Sequence, residues 1–86
     1  MLRALSHAQR RQFVQACLRQ ERAAGELAEA SHLALASVSE HLKVLRKCGL
    51  LVLEVRGRFW MYRTNRALLR AALAELAALQ HEPKGE

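Results

Sequence analysis

The sequence predicts a mainly α-helical domain with one two-stranded β-hairpin. Apolar residues recur every three or four positions along most of the chain, which indicates helices, whereas residues 51–64 show strand-like patterns on both sides of a glycine. The chain has 86 residues, of which 51% are hydrophobic. This length suits one domain, and this composition is too apolar for a disordered chain. We therefore expect one domain over residues 1–86, with a frayed tail at residues 82–86.

The amino-terminal third of the chain predicts two helices. Ser6 is the expected N-cap of a helix over residues 7 to about 20. A short helix over residues 24–30 follows, and residues 31–35 form a turn. The apolar positions of these helices fall on one face of each helix: Phe13, Val14, Cys17, Leu18, Leu27 and Ala28.

A third helix is predicted over residues 35–47. Its apolar positions are spaced by four and three residues and form a narrow stripe: Val38, Leu42 and Leu45. Gly49 is expected to end this helix in the left-handed conformation.

The remaining segments predict a hairpin and a last helix. Residues 51–56 alternate between two faces, residues 59–64 form a second strand, and Gly57 allows the tight turn between them. Asn65 opens a helix that extends to about residue 80. Its apolar stripe contains Leu69, Ala72, Leu73, Leu76 and Leu79. Two helices around a short turn, followed by a two-stranded ribbon, are typical of a winged helix-turn-helix domain.

The charge distribution favours a polyanionic partner. Lys and Arg number 14 against 8 Asp and Glu, for a net charge of +6. Residues 43–70 contain one acid, Glu54, and eight basic residues: Lys43, Arg46, Lys47, Arg56, Arg58, Arg63, Arg66 and Arg70. Such an excess attracts DNA, RNA or anionic lipid, although it also suits a merely solvated surface. The chain lacks an apolar run of about 20 residues and an amino-terminal signal sequence, so we expect a cytoplasmic protein with no membrane partner.

Three segments resemble the ArsR-type winged-helix repressors. They are GELAEA at residues 25–30, VSEHLKVLRKCGLL at residues 38–51 and RGRFWMYRTN at residues 56–65. The similarity extends over about residues 3–80. It implies a homodimer that binds a near-palindromic operator in double-stranded DNA and represses transcription.

Within this framework, the helix over residues 35–47 is the expected reader of the major groove. Ser37, Ser39 and His41 can reach phosphates or base edges, and Glu40 can accept a hydrogen bond from cytosine. Lys43 and Arg46 suit phosphates, and the wing arginines Arg56 and Arg58 suit the backbone or the minor groove. Ser39 could instead be solvated, and His41 could pack against the preceding helix. We interpret Trp60 and Tyr62 as packing of the wing against the core, and the alternative is that they stack on bases.

The sequence departs from the family at several positions. Leu35 and Ala36 stand where many members have Gln and Ser, so readout there is apolar, for example of thymine methyl groups, or absent. Ala23 and Ala34 replace the usual capping residues. The positions that hold metal ligands in metal-sensing members are occupied by Ala23, Gly25, Arg66, Leu68 and Leu79. We therefore expect no metal and no cofactor.

The two cysteines have different expected roles. Cys17 lies on the apolar face of its helix and is interpreted as a core residue. Cys48 follows Arg46 and Lys47, whose charges would lower a thiol pKa, although the carbonyl groups at the helix end oppose this. A redox switch through Cys48 is a hypothesis.

The last helix is the expected dimer element. We expect Leu69, Leu73 and Leu76 to pack with Leu2 and Leu5 across a two-fold axis. The chain has no aspartate and eight dispersed glutamates, so we expect no enzymatic activity. The alternatives to a DNA-binding repressor are a winged-helix module for protein or RNA contact, and a thiol-based, redox-responsive repressor.

Overall fold

The computed structural model describes residues 2–80, although the side chains of Leu2 and Gln80 are not described. The expected tail at residues 82–86 lies outside this range. The elements in chain order are α1 Leu2–Leu5, α2 Ala8–Arg19, β1 Arg22–Ala23, α3 Ala24–Ser31, α4 Leu35–Lys47, β2 Leu51–Arg56, β3 Phe59–Thr64 and α5 Arg66–Gln80. This order confirms the mainly helical fold with a β wing. None of the described helices is long and apolar enough to cross a lipid bilayer.

The start of α2 differs from the prediction. Ser6 is not its N-cap, because the Ser6 hydroxyl donates to the carbonyl oxygen of Arg3 at 2.7 Å and closes α1. His7 is the N-cap instead, and its Nδ1 accepts the backbone N–H of Gln9 at 3.2 Å. The expected lack of a capping side chain before α3 is partly offset, because Glu26 accepts the N–H of Ala23 at 2.8 Å.

Helix α4 has the predicted bounds and is fixed to the core by its apolar stripe. Val38, Leu42 and Leu45 are each at most 1% exposed. The helix ends before Gly49, whose φ of +89° confirms the predicted left-handed stop. Leu50 and Leu51 then continue the core into β2. The position of α4 on the domain is therefore set by close packing along its whole length.

The other side of the core joins α2 to the sheet. Cys17 is 3% exposed, which confirms its interpretation as a core residue. Its burial raises the pKa of the thiol to about 11, against a smaller opposing effect of Arg22. Thr64 is also buried, and its hydroxyl donates to the carbonyl oxygen of Val14 at 2.7 Å. This bond satisfies the buried hydroxyl and ties β3 to α2.

The sheet has three antiparallel strands in the order β1-β3-β2. The two-residue β1 was not predicted, and it pairs Arg22 with Tyr62. The wing hairpin is formed by β2 and β3, with a two-residue turn at Gly57 and Arg58. Gly57 has a φ of +59°, as predicted for the tight turn.

Burial along the wing hairpin confirms one expectation and contradicts another. Tyr62 is 8% exposed and packs in the core, as predicted. Trp60 is 57% exposed, so its predicted packing against the core is wrong. Both side chains lie on the same face of β3, but Trp60 is closer to the turn, where the hairpin extends past the helices that cover Tyr62.

Candidate nucleic-acid interface

Helix α4 presents a polar face opposite its buried stripe. Successive residues of an α-helix are rotated by about 100°, so the positions facing away from the stripe form an outer row. This outer row consists of Ala36, Glu40, Lys43 and Lys47, all of which are exposed. Ser37 and Ser39 flank the row and are also exposed, as is Arg46. The structure thus places five of the six predicted α4 residues on the exposed side of the helix: Ser37, Ser39, Glu40, Lys43 and Arg46.

His41 is the exception among the predicted α4 residues. It is half-buried, with its ring centroid 4.5 Å from that of His7 and 6.1 Å from that of Phe13. Burial lowers the pKa of His41, and His7 and Arg10 lower it further, while Glu40 opposes them. The structure therefore shows the packing role that was one of the two interpretations of His41, and its contact with DNA stays a prediction.

The carboxyl-terminal half of α4 carries a cluster of cations. Lys43, Arg46 and Lys47 line a shallow depression of about 280 Å³. None of these three side chains forms an ion pair with a described residue. Three cationic groups with no acidic partner among the described residues suit binding to phosphate oxygens. Sequence reasoning did not assign a DNA contact to Lys47, although the 100° rotation per residue, counted from Leu42, places it in the outer row.

The two wing arginines have different surroundings, and the contact of both with DNA stays a prediction. Arg56 is not free, because its guanidinium donates to Glu21 at 2.7 Å and to Glu54 at 3.2 Å. These carboxylates, Glu54 first, raise the pKa of Arg56, and hydrogen bonds from Arg63 and Arg56 lower the pKa of Glu54. Glu21 comes close because it immediately precedes β1, which pairs with β3. Arg58 in the turn is exposed and has no ion pair with a described residue.

The predicted dimer residues lie together on another side of the molecule. An apolar groove of about 540 Å³ runs between α2 and α5, and its lining includes Leu5, Leu69, Leu73 and Leu76. Leu73 is 54% exposed and Leu76 is 37% exposed. The side chain of Leu2, the fifth predicted interface residue, lies outside the described part of the structure.

Two further sequence predictions concern cysteine and metal chemistry. Cys48 is half-buried at the C-cap of α4, and its Sγ lies 3.4 Å from the carbonyl oxygen of Leu45. Within residues 2–80, no three His, Cys, Asp or Glu side chains form a cluster that could hold a metal ion. Both the redox switch and the absence of a metal site stay predictions.

Comparison with known proteins connects this geometry to a family. The family model of the bacterial regulatory proteins of the arsR family matches residues 7–52. A homodimeric winged helix-turn-helix DNA-binding domain from Mycobacterium bovis, a possible ArsR-family regulator, is 27% identical, with a TM-score of 0.75. That match covers 98% of this chain and 80% of the other. No curated protein is significantly similar to the chain in sequence.

Two other solved structures are similar over most of their length. An ArsR-like transcriptional regulator from Rhodococcus sp. RHA1 is 26% identical, with a TM-score of 0.84, over 92% of this chain and 72% of the other. A possible transcriptional regulator for arsenical resistance is 27% identical, with a TM-score of 0.85, over 94% of this chain and 84% of the other. The family match extends over more than half of the chain and includes α4. The chain therefore belongs to the ArsR family and is a winged helix-turn-helix, DNA-binding transcription regulator.

Proposed function

We propose that the protein is a homodimeric repressor that acts in the cytoplasm on a near-palindromic operator. Helix α4 enters the major groove, and the wing contacts the adjacent backbone or minor groove. The observation that carries this proposal is the exposed outer row of α4, which lies opposite a fully buried stripe and ends in a cation cluster. The similar Mycobacterium bovis domain is homodimeric, which supports the proposed oligomeric state.

The two halves of α4 have different proposed roles. The amino-terminal half carries small or short-chain groups that can approach base edges: Ala36, Ser37, Ser39 and Glu40. Leu35, at the first position of the helix, is 58% exposed and is available to contact a thymine methyl group. The cations of the carboxyl-terminal half bind phosphates and fix the register of the helix in the groove.

The proposed dimer uses the apolar groove between α2 and α5. Leu73 and Leu76 are the exposed part of a stripe whose neighbour Ala72 is buried within the same chain. Covering these leucines with a second copy would remove apolar surface from water. A two-fold axis through this region would place two copies of α4 in successive major grooves, about 34 Å apart.

The test is binding to duplex DNA taken from upstream of the protein's own gene. We expect Lys43→Ala to weaken binding and to reduce the slope of log K against log salt by about two units, because the substitution removes one phosphate contact from each protomer of the proposed dimer. Arg19→Ala is the matched control, because it removes one positive charge from an exposed position at the end of α2, away from α4. Equal effects of the two variants, or binding that ignores DNA sequence, would contradict the proposed operator complex. Preference for RNA over the duplex would favour the alternative module.

A thiol-based signal is a second candidate, and the two cysteines favour a particular site for it. Cys17 is buried and its pKa is raised to about 11, which disfavours the reactive thiolate. Cys48 is half-buried at the end of α4, so its modification would disturb the DNA-reading helix. We expect mild peroxide to lower operator affinity in the native protein and not in Cys48→Ser. Equal responses would exclude Cys48 as the sensor.

A further inference from the structure

The end of the wing is apolar, although it is also the most solvent-exposed part of the hairpin. Val55 is 57% exposed, Trp60 is 57% exposed and Phe59 is 67% exposed. We refer to residues 55–60 as the wing tip. Val55 lies directly opposite Trp60, on the sheet face that carries Tyr62, and Phe59 lies on the other face. The wing tip therefore presents an apolar side chain on each face of the ribbon.

No side chain in the described part of the chain covers this apolar surface. The next cross-strand pair toward the core, Leu53 and Tyr62, lies on the same face as Trp60 and packs against the helices. Two residues nearer the turn, the same alternation leaves Trp60 in solvent. Adjacent exposed apolar groups, such as the cross-strand pair of Val55 and Trp60, indicate a contact surface, whereas single exposed apolar residues do not.

We infer that the wing tip is an apolar wedge that contacts the minor groove of the operator beside the α4 site. Trp60 and Phe59 contact deoxyribose rings and base edges, and Arg58 in the turn binds a phosphate. This inference rests on the proposed operator complex. The inference extends that proposal by assigning the groove contact to the aromatic residues, because Arg56 forms ion pairs with Glu21 and Glu54.

Area and charge favour DNA over a protein partner at the wing tip. Trp and Phe side chains bury at most about 150–250 Å² each, so the exposed parts of the three apolar residues amount to on the order of 300–400 Å². A stable protein interface needs about 800 Å² per partner. Contact with the edge of a DNA groove needs a smaller buried area, because phosphate contacts elsewhere supply most of the affinity. Arg58 gives the wing tip a positive charge that complements phosphate. It is exposed and forms no ion pair with a described residue.

The protein carries its own reporter for this contact, because Trp60 is its only tryptophan. Binding is measured by the fluorescence anisotropy of a labelled operator duplex, and the wing tip is followed by the intrinsic emission of Trp60. We expect saturation with operator to reduce acrylamide quenching of Trp60 at least threefold and to change its emission. A scrambled duplex at the same concentration is the control and should produce neither change.

Substitutions at the wing tip complete the test. We expect Trp60→Ser and Phe59→Ser each to lower operator affinity by about five- to fiftyfold, with unchanged unfolding midpoints because both side chains are exposed. Trp60→Phe should recover most of the loss, since an aromatic ring remains.

The outcomes separate this inference from the proposed function. If the operator binds specifically while Trp60 stays fully quenchable and Trp60→Ser binds normally, the wedge is wrong and the repressor proposal stands. If a higher protein concentration without DNA reduces the acrylamide quenching of Trp60, the wing tip contacts a second copy of the chain. This result would also overturn the inference. A complete lack of specific duplex binding would refute the proposed function, and the wedge with it.

Discussion

Helices α4 and α5 have the same kind of apolar stripe, with spacings of three and four residues, yet only one of them is covered. In α4, Leu42 is 1% exposed and Leu45 is 0% exposed. In α5, Leu73 and Leu76 are 54% and 37% exposed. The difference lies in the surroundings, because α4 packs between α2, α3 and β2, whereas α5 leaves the body of the domain beside an open groove.

This comparison shows what an apolar stripe does and does not specify. The stripe indicates which face of a helix is to be removed from water, but it does not indicate whether the same chain or another covers that face. For α4 the cover is intramolecular, so its opposite face is rigidly presented. For α5 we propose that the cover is a second copy, which would make its stability depend on protein concentration.

The largest expected effect comes from opening a cavity beneath α4. Leu45→Ala removes a fully buried side chain and should lower the free energy of unfolding by about 2–5 kcal/mol. The matched control is Leu35→Ala, the same chemical change at a position of the same helix that is 58% exposed, and it should change stability by less than about 0.5 kcal/mol. Urea unfolding followed by circular dichroism measures both variants. Similar losses in the two variants would mean that Leu45 is no more buried in solution than Leu35.

An intermediate effect is expected from a charge in the α5 stripe. Leu73→Glu should convert a dimer into a monomer at micromolar concentration, because the carboxylate would be buried in the proposed interface without a partner. Operator affinity should then fall at least tenfold, since the two half-sites are no longer bound by one linked molecule. Ala71→Glu, on the exposed side of the same helix, is the control and should remain dimeric. Sedimentation velocity decides the point, and a native protein that is already monomeric would contradict the proposed dimer.

The smallest effect concerns the flank of α4, where His41 packs on His7. Burial and the neighbouring His7 and Arg10 lower the pKa of His41 in the folded state, so the unfolded chain binds the proton more readily. Neutral His41 therefore makes its full contribution to the free energy of unfolding above the ordinary histidine pKa. This contribution is lost as the pH falls through the lowered pKa of the folded state.

Urea midpoints at pH 7.5 and pH 5.5 measure this decline. His41→Gln should reduce the difference between the two midpoints. His32→Asn is the control, since Asn tolerates the left-handed backbone of that exposed position, and it should leave the difference unchanged. If the two urea midpoints differ as much in His41→Gln as in the native protein, another group causes the pH dependence.

The elements that follow from local signals were predictable from the sequence. The bounds of α4, the stop at Gly49 and the tight turn at Gly57 depend on residues within a few positions of one another. The exposed positions of α4 follow in turn from its buried stripe. Strand β1 was not predictable in this way, because two residues are too few to show a period and the strand exists only through pairing with β3.

The wrong predictions for Trp60 and Ser6, and the unpredicted ion pairs of Arg56, depend on geometry that local sequence does not show. The alternation along β3 correctly places Trp60 on the face of Tyr62, but it does not indicate where the covering helices end. Arg56 meets Glu21 across 35 positions of sequence, through the β1–β3 pairing. Ser6 lost its predicted capping role to His7 because the four-residue α1, which carries no sequence period of its own, takes its hydroxyl.

Gly49 imposes a limit on how sequences with this fold can diverge. Its φ of +89° disfavours any side chain, and a Cβ at this position would lie 3.1 Å from Cδ2 of Leu68. A replacement would thus carry a backbone cost and a steric cost together, and a compensating change at Leu68 would remove only the second. At Gly57, where nothing lies within 4 Å of such a Cβ, asparagine is an accessible substitute. Substitutions can therefore accumulate in the turn of the wing, while the junction between the end of α4 and the first turn of α5 tolerates none without cost.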